Sequence, residues 1–303
     1  IHSLDLKEGR KMRIRKSVLV LTLIFALLPV SSAFAASDFT GTAAMMNIGM
    51  GARALGMGGA HIAVADDASV IYYNPAGLAL VDGINVTSLY TSQHGAAGYL
   101  ALGVTGRNIG GAILRLNASG IEETDEFGNK TGTFGVVETT AMAGYGRTVI
   151  PDLSIGGAIK YYQQTLPKNS GKGLTADIGM LYELTESKVM IGVVGRNLLG
   201  SVTYSGGSKD AFDRAFGFGV SFEPMDNLLI AGDAVLENGF TGKVGAEYRF
   251  RQMAVRAGGS FGEGQTCLTV GAGFAVTNFN IDYAYQHHNS LPDSHRLSLN
   301  MKF

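Results

Sequence analysis

The sequence predicts an all-β protein: a transmembrane antiparallel β-barrel of about fourteen strands with an N-terminal plug segment. Three observations support this prediction. The 303 residues are 46% apolar and only 16% charged, whereas soluble domains carry about a quarter charged residues. From about residue 84 onward, the chain divides into segments of about ten residues separated by turn residues, a length that suits tilted membrane-crossing strands. Within these segments apolar and polar side chains alternate, which places one set on each face of a sheet.

The predicted strands share this length and alternation, and their even number is what a single-chain bacterial barrel requires. They cover residues 84–92, 97–105, 109–117, 136–147, 153–163, 173–184, 188–197, 211–223, 227–237, 240–250, 253–261, 265–276, 278–287 and 294–303. The connections predicted on one side are turns of one to three residues, such as 107–108 and 150–152. Those on the other side include longer loops, at 118–135, 164–172, 198–210 and 288–293. Short turns inside and longer loops outside are the pattern of outer-membrane barrels.

The apolar face of each strand must contact lipid, because no water is available there to solvate charge. Charged residues then share the inward, lumen-facing parity: Asp233, Lys243, Glu247, Arg249, Arg256, Asp282 and Arg296. We expect these groups to pair with each other or with a segment inside the barrel. They form either an ion-pair lattice that stiffens the wall or a set of contacts that holds a plug until something displaces it. Arg214 is an exception, since it shares the outward parity of Phe216 and Phe218, and we place it above the hydrocarbon.

The N-terminus is predicted to direct export. Residues 12–35 combine a basic start, an apolar run from Ser17 to Leu28 and the small residues Ala33 and Ala35, which is typical of a signal peptide cleaved after Ala35. We interpret residues 1–11 as an untranslated-leader artefact. The expected location is the outer membrane of a bacterium, with the barrel in residues 84–303.

Residues 36–83 are predicted to form the plug, because a barrel of about fourteen strands encloses a lumen too wide for its own side chains to fill. Three stretches stand out: GARALGMGGA from Gly51 to Ala60, AVADDA from Ala63 to Ala68, and NPAGLA from Asn74 to Ala79. Together they resemble the start of the PorV/PorQ family, which lies within the wider FadL-like group of long-chain fatty acid transporters. The resemblance implies an N-terminal hatch that contains the Asn-Pro-Ala element. The hatch or gating residues are then Asn74, Pro75, Ala76, Arg53, Gly56, Gly58, Asp66 and Asp67.

The resemblance implies two functions. The first is passive transport of small hydrophobic compounds past the hatch, with glycine pairs such as Gly110-Gly111 and Gly156-Gly157 bending to open the wall sideways. The alternative is a scaffold or shuttle in type IX protein secretion, and a purely structural barrel is a third hypothesis. Expected partners are outer-membrane lipid, the barrel-assembly machinery through Phe303, and either hydrophobic small molecules or secreted client proteins.

Other classes of function are disfavoured. A net charge of -1 leaves no basic stripe for nucleic acid. No Gly-x-Ser-x-Gly elbow is present, so we expect no enzyme, and no cofactor is indicated. Asp66 and Asp67 would point to opposite faces of an extended chain; we expect them to cap a turn or to pair with lumen arginines rather than to share chemistry. His287, His288 and His295 lack regular metal-ligand spacing, so the sequence predicts no metal site.

Overall fold

The computed structural model describes residues 42–93, 97–167, 169–262, 265–289 and 292–303. The predictions for residues 1–11, 12–35 and the first part of the plug lie outside the described residues. In the part of the chain that is described, no helix is both long and apolar enough to cross a membrane.

Among the described residues, sixteen β-strands follow four short helical turns. The helical turns are a 3-10 turn at Ala44–Asn47, helix α1 at Ala52–Gly56, helix α2 at Val70–Tyr73 and a 3-10 turn at Pro75–Ala79. The strands are β1 Asn85–Gln93, β2 Ala97–Gly106, β3 Ile109–Thr124, β4 Lys130–Ile150, β5 Leu153–Thr165, β6 Ser170–Leu184, β7 Val189–Arg196, β8 Ser201–Tyr204, β9 Lys209–Ala211, β10 Ala215–Met225, β11 Leu228–Leu236, β12 Phe240–Phe250, β13 Met253–Gly262, β14 Gln265–Val276, β15 Phe279–His288 and β16 Ser294–Lys302. A further 3-10 turn, Thr185–Ser187, lies between β6 and β7.

Fourteen of these strands close into an antiparallel barrel, which confirms the predicted fold class. Neighbours in sequence are neighbours in the wall, except that β7 pairs with β10. Closure comes from β1 pairing with β16, with Asn85 opposite Lys302. Each of the fourteen strands therefore has a neighbour on both sides, as a wall in hydrocarbon requires.

The alternation of side chains follows the predicted parity. In β14 Val270 is 55% exposed on the outside, whereas its neighbour Thr269 is 3% exposed toward the lumen. In β16 Leu297 and Leu299 are exposed, and Arg296 and Ser298 between them are buried. The outer surface is thus the apolar one, as a wall in contact with lipid must be.

The two ends of the barrel differ. At one end, which we call the turn end, successive strands are joined by tight connections. Arg107 and Asn108 there both have positive φ, 45° and 73°, which is the geometry of the two-residue turn that matches strand twist. The opposite end, the loop end, carries the longer connections.

The structure corrects three strand boundaries. The predicted loop 118–135 is mostly strand, because β3 and β4 continue as a paired hairpin in which Glu123 lies opposite Gly132. Polar residues occupy both faces there, so no alternation marks it. The predicted loop 198–210 contains the hairpin β8–β9, in which each strand is too short to show a period. Strand β10 begins at Ala215 rather than at residue 211, so Arg214 lies outside the strand.

Candidate functional site in the barrel lumen

Residues 42–83, which we call the luminal segment, cross the barrel from one end to the other. Near the loop end, Asn47 Nδ2 donates a hydrogen bond of 2.7 Å to Glu237 Oε1. At the turn end, the next residue, Ile84, pairs with Phe303 through two backbone hydrogen bonds. Between these points the segment packs against the inward faces of both halves of the wall, with α1 on β13–β16 and the 3-10 turn Pro75–Ala79 on β4–β6.

Inward-facing glycines let this segment approach the wall. A methyl group added to Gly156 would lie 2.6 Å from Ala76 N, and one added to Gly258 would collide with Met57. A Cβ added to any of twelve wall glycines would lie within 3.3 Å of an atom of the luminal segment. These are Gly103, Gly110, Gly144, Gly146, Gly156, Gly179, Gly192, Gly217, Gly219, Gly245, Gly258 and Gly271. Many of the glycines therefore form a socket for the luminal segment.

One glycine of each pair expected to bend the wall has a packing role. Gly110 and Gly156 belong to this socket, and the strand register runs without a bulge through both pairs. The lack of a side chain provides room for the segment there, and the wall keeps its regular hydrogen bonds.

Asn74, the first residue of the Asn-Pro-Ala element, is almost completely buried. Its Nδ2 donates to Ile62 O at 3.0 Å and to Met180 O of β6 at 3.1 Å. Its Oδ1 accepts from Ala76 N at 3.2 Å, and Pro75 follows as the first residue of the 3-10 turn. This side chain thus holds two stretches of the luminal segment together and ties both to the wall.

A network of buried ion pairs joins the segment to the opposite wall. Arg53 contacts Glu247 of β12 with Nε to Oε2 at 2.8 Å and Nη2 to Oε1 at 3.0 Å. Glu247 also pairs with Arg256 at 2.6 Å and with Arg249 at 2.6 Å. Arg256 continues the network to Asp282 at 2.7 Å. The lumen charges therefore pair both with each other and with the segment.

Asp66 and Asp67 join the same network. Both carboxylates contact Arg53 Nη1, at 2.5 and 3.3 Å, so the expectation that they point to opposite faces is wrong. The reason is that the chain is not extended at this point. Asp67 also accepts hydrogen bonds from Ser69 N and Oγ, at 2.8 and 2.5 Å, and thereby caps a turn.

The remaining predicted residues lie outside this network. Thr269 accepts from Gly58 N at 2.9 Å and donates to Gly56 O at 3.0 Å, which places both glycines against β14. Asp233 Oδ2 accepts from the backbone N of His61 at 2.8 Å and of Ile62 at 3.1 Å. Lys243 and Arg296 also face the lumen, Lys243 beside Gly59 and Arg296 buried in β16.

The three histidines considered as metal ligands are not brought together as one site. His287 Nδ1 contacts Asp293 Oδ1 at 2.8 Å, and His295 Nδ1 contacts Tyr283 OH at 2.6 Å. His288 instead lines the lumen at the loop end.

Sequence reasoning missed an apolar half of the lumen. On β1–β5, large buried side chains point inward: Leu89, Tyr99, Leu114, Met142 and Tyr162. They form one cluster with apolar residues of the luminal segment: Met45, Met46, Met50, Tyr72 and Tyr73. The signal was present in the sequence, since Leu114 and Met142 have the inward parity.

The loop-end hairpin, residues 197–214, adds Val202 and Phe212 to this apolar cluster. A buried ion pair anchors its base: Lys160 Nζ lies 2.6 Å from Asp177 Oδ2 and 2.9 Å from Asn197 Oδ1. The hairpin is therefore packed into the loop end of the lumen.

Each end of the barrel holds a cavity. The turn-end cavity, about 410 Å³, is lined by residues of the ion-pair network and by further polar groups such as Asn280 and Lys302. The loop-end cavity, about 320 Å³, is lined by Glu237, Thr241, Ser260, Cys267 and His288 among others.

No protein-family model matches the chain, and the search of curated protein sequences gave no match. Among solved structures, the toluene transporter TodX of Pseudomonas putida is 14% identical, with a TM-score of 0.59 over 83% of this chain and 96% of that one. A TodX deletion mutant, described as a monoaromatic hydrocarbon channel, is 12% identical, also with a TM-score of 0.59, over 84% and 99%. At this identity the similarity establishes the fold. In fold, the chain is a transmembrane barrel similar to that of TodX.

Proposed function

We propose that this chain is an outer-membrane channel through which small hydrophobic compounds pass by diffusion, with the luminal segment as its hatch. The observation that carries the proposal is the apolar half of the lumen. There Tyr99, Leu114 and Met142 of the wall face Met50 and Tyr72 of the segment without an intervening charged layer. The similar barrels are described as a toluene transporter and a monoaromatic hydrocarbon channel, which supports the same class of solute.

The division of the lumen supports a path along one side. Burying apolar surface is favourable by about 25 cal/mol per Å², so a hydrocarbon gains along β1–β5. Along β11–β16 it would have to separate buried ion pairs, such as those of Glu247 and Arg256. The apolar half is closely packed, so passage requires that the luminal segment or the loop-end hairpin moves. A movement of the luminal segment must break the contacts of Asn74 and Arg53 with the wall.

The finer identification as a PorV/PorQ protein rests on the residues from Gly51 to Ala79 alone, and none of the comparisons favours a role in type IX secretion. Export by a cleaved signal peptide stays part of the proposal. Recognition of Phe303 by the barrel-assembly machinery is also part of the proposal, and the phenyl ring is exposed after the end of β16.

Uptake by outer-membrane vesicles tests the transport proposal, because their lipopolysaccharide leaflet slows the passage of hydrocarbons that cross plain phospholipid. Vesicles that contain the chain should take up toluene faster than vesicles without it. Leu114→Gln puts an amide in the apolar half and should slow uptake about tenfold, equivalent to about 1.4 kcal/mol. The matched control, Ser260→Gln at the loop-end cavity, should change uptake less than about twofold, which is under 0.5 kcal/mol. Equal uptake with and without the chain would reject the proposal.

A further inference from the structure

We propose that His61, Asp66 and Asp67 form a binding site for a divalent transition-metal ion of the zinc class. One ligand atom from each residue lies within 4.8 Å of the others. Two atoms bound to the same zinc ion lie about 3 to 4 Å apart, given bond lengths of about 2.0–2.2 Å. His61 Nε2 and Asp67 Oδ2, at 3.9 Å, already meet this condition. The side chain of Asp66 is 45% exposed, so it can rotate to complete the site.

The imidazole of His61 is the observation that points to a ligand. It is 0% exposed, yet among the described residues neither ring nitrogen has a hydrogen-bond partner. A buried polar group without a partner costs roughly 1–3 kcal/mol. A metal ion bound to Nε2 would remove part of this cost, and imidazole nitrogen is a common zinc ligand.

The groups around the site hold two of its ligands in place. Asp233 Oδ2 accepts a hydrogen bond from His61 N at 2.8 Å, and the ring of Tyr73 packs edge-on against the imidazole, with the centroids 5.0 Å apart. Ser69 donates two hydrogen bonds to Asp67 Oδ1, which leaves Oδ2 directed toward His61. Such outer contacts orient ligands in metal sites.

Arg53 Nη1 occupies the position between the two carboxylates that an ion would take. The ion must displace this one nitrogen, while Arg53 keeps its two contacts to Glu247. The network is net negative before an ion binds, which attracts a cation. The network contains four carboxylates, of Asp66, Asp67, Glu247 and Asp282, but three guanidinium groups, of Arg53, Arg249 and Arg256.

Ligand chemistry and access define the class of ion. One imidazole with two carboxylates suits zinc and its transition-metal neighbours, whereas Ca²⁺ and Mg²⁺ prefer oxygen ligands alone. Both carboxylates line the turn-end cavity, so the ion has an entry path and water can fill the remaining coordination positions. Because the ion would join residues 61 and 66–67, it would stiffen the middle of the luminal segment.

Titration of the purified full-length chain with zinc chloride, followed by calorimetry, tests the proposal. We expect one zinc ion per chain. His61→Ala and Asp67→Asn should each weaken zinc affinity at least about tenfold. The double variant His287→Ala/His295→Ala removes two exposed histidines and should keep wild-type affinity. Calcium should show no binding that depends on His61.

Cobalt substitution provides a second readout, because Co²⁺ bound through a histidine nitrogen absorbs visible light differently from Co²⁺ in water. Asp66→Asn changes a half-exposed side chain, so the barrel should fold, and this variant should lose both the cobalt spectrum and the zinc affinity. Absence of zinc binding to the wild type overturns the proposal. The proposal is also overturned if Asp66→Asn binds zinc as tightly as the wild type and the folded variants among His61→Ala and Asp67→Asn do so too. Neither measurement depends on hydrocarbon uptake, so the two proposals can fail separately.

Discussion

Glu247 is a residue whose charge depends on its neighbours. Its side chain is fully buried, and it contacts Arg53 of the luminal segment together with Arg249 and Arg256 of the wall. A buried carboxylate is tolerated only when it is paired and hydrogen-bonded. Arg53 provides part of this pairing, and Arg249 and Arg256 provide the rest, so Glu247 links the luminal segment to the wall.

Replacing Glu247 with glutamine should therefore loosen the luminal segment. Removing one partner of a buried pair leaves the other charges uncompensated, which costs about 3–5 kcal/mol. The expected result is faster proteolysis within residues 42–83 of the detergent-purified protein. Lys130→Gln breaks the exposed pair between Lys130 and Glu122 and should change nothing measurable. Equal proteolysis in both variants would show that the network does not hold the segment.

Val270 and Thr269 are neighbours in β14 whose side chains lie on opposite faces of the wall. Val270→Arg places a cation on the lipid face and should destabilise folding by about 2–4 kcal/mol, measured by urea titration in lipid vesicles. From the sequence alone, Thr269→Arg would be expected to destabilise folding only slightly, because the side chain enters the lumen. The structure reverses this expectation, since Thr269 bonds to Gly56 and Gly58 and has no free space. Asn280→Arg, at the turn-end cavity, is the variant that should be mild.

At the scale of elements, the alternating strands were predictable and the irregular elements were not. Most wall strands alternate and are separated by turn residues, which identifies them. Thirteen of the fourteen predicted strands start within a few residues of the observed ones. The strand predicted at 136–147 begins earlier, because the hairpin β3–β4 runs on beyond the membrane, where both faces meet water. The hairpin β8–β9 is stabilised by contacts with β6, namely the pairing of Val202 with Gly173, which no local pattern encodes.

The glycine socket gives a sharp test at this scale. Gly156→Ala places a methyl group against Pro75 and Ala76 of the hatch, whereas Gly157→Ala, one residue along, meets nothing closer than 3.4 Å. We expect Gly156→Ala to shift the Asn-Pro-Ala element, which should increase ion conductance in a planar bilayer. Gly157→Ala should conduct like the wild type. Both variants should keep the heat-modifiable gel mobility of a closed barrel, and loss of that mobility only in Gly156→Ala would show that this glycine supports the wall instead.

At the scale of the whole molecule, the lumen has two different halves. Parity alone predicted the charged residues of β11–β16, because a charge cannot face lipid. The apolar half was harder to assign, since β2 is apolar on both faces, with Tyr99 inward and Leu100 outward, and either face could have been assigned to lipid. Likewise, nothing in the sequence marks the approach of His61 to Asp67, which depends on the path of the whole luminal segment.

Deleting residues 45–79 tests whether the luminal segment closes the barrel. The deletion leaves the fourteen strands and their hydrogen bonds intact, so the wall can still close. The emptied lumen would fill with water along β11–β16, where Lys243, Glu247 and Arg256 would then face the pore. Wide barrels with charged walls conduct ions. The full-length chain should therefore conduct little in a planar bilayer, and the deletion variant should give large, stable current steps.

A combined Asn74→Ala/Pro75→Ala variant should conduct more than the full-length chain and less than the deletion variant. It loses the hydrogen bonds from Asn74 to Ile62 and Met180, each worth about 1 kcal/mol, but it keeps the contacts of Arg53 with Glu247. The hatch would then open and close about a weakened hinge, and the current should flicker. Heat-modifiable mobility must first show that all three proteins form closed barrels. Equal conductance in the three would mean that residues 45–79 do not block the lumen, and the hatch proposal would fall.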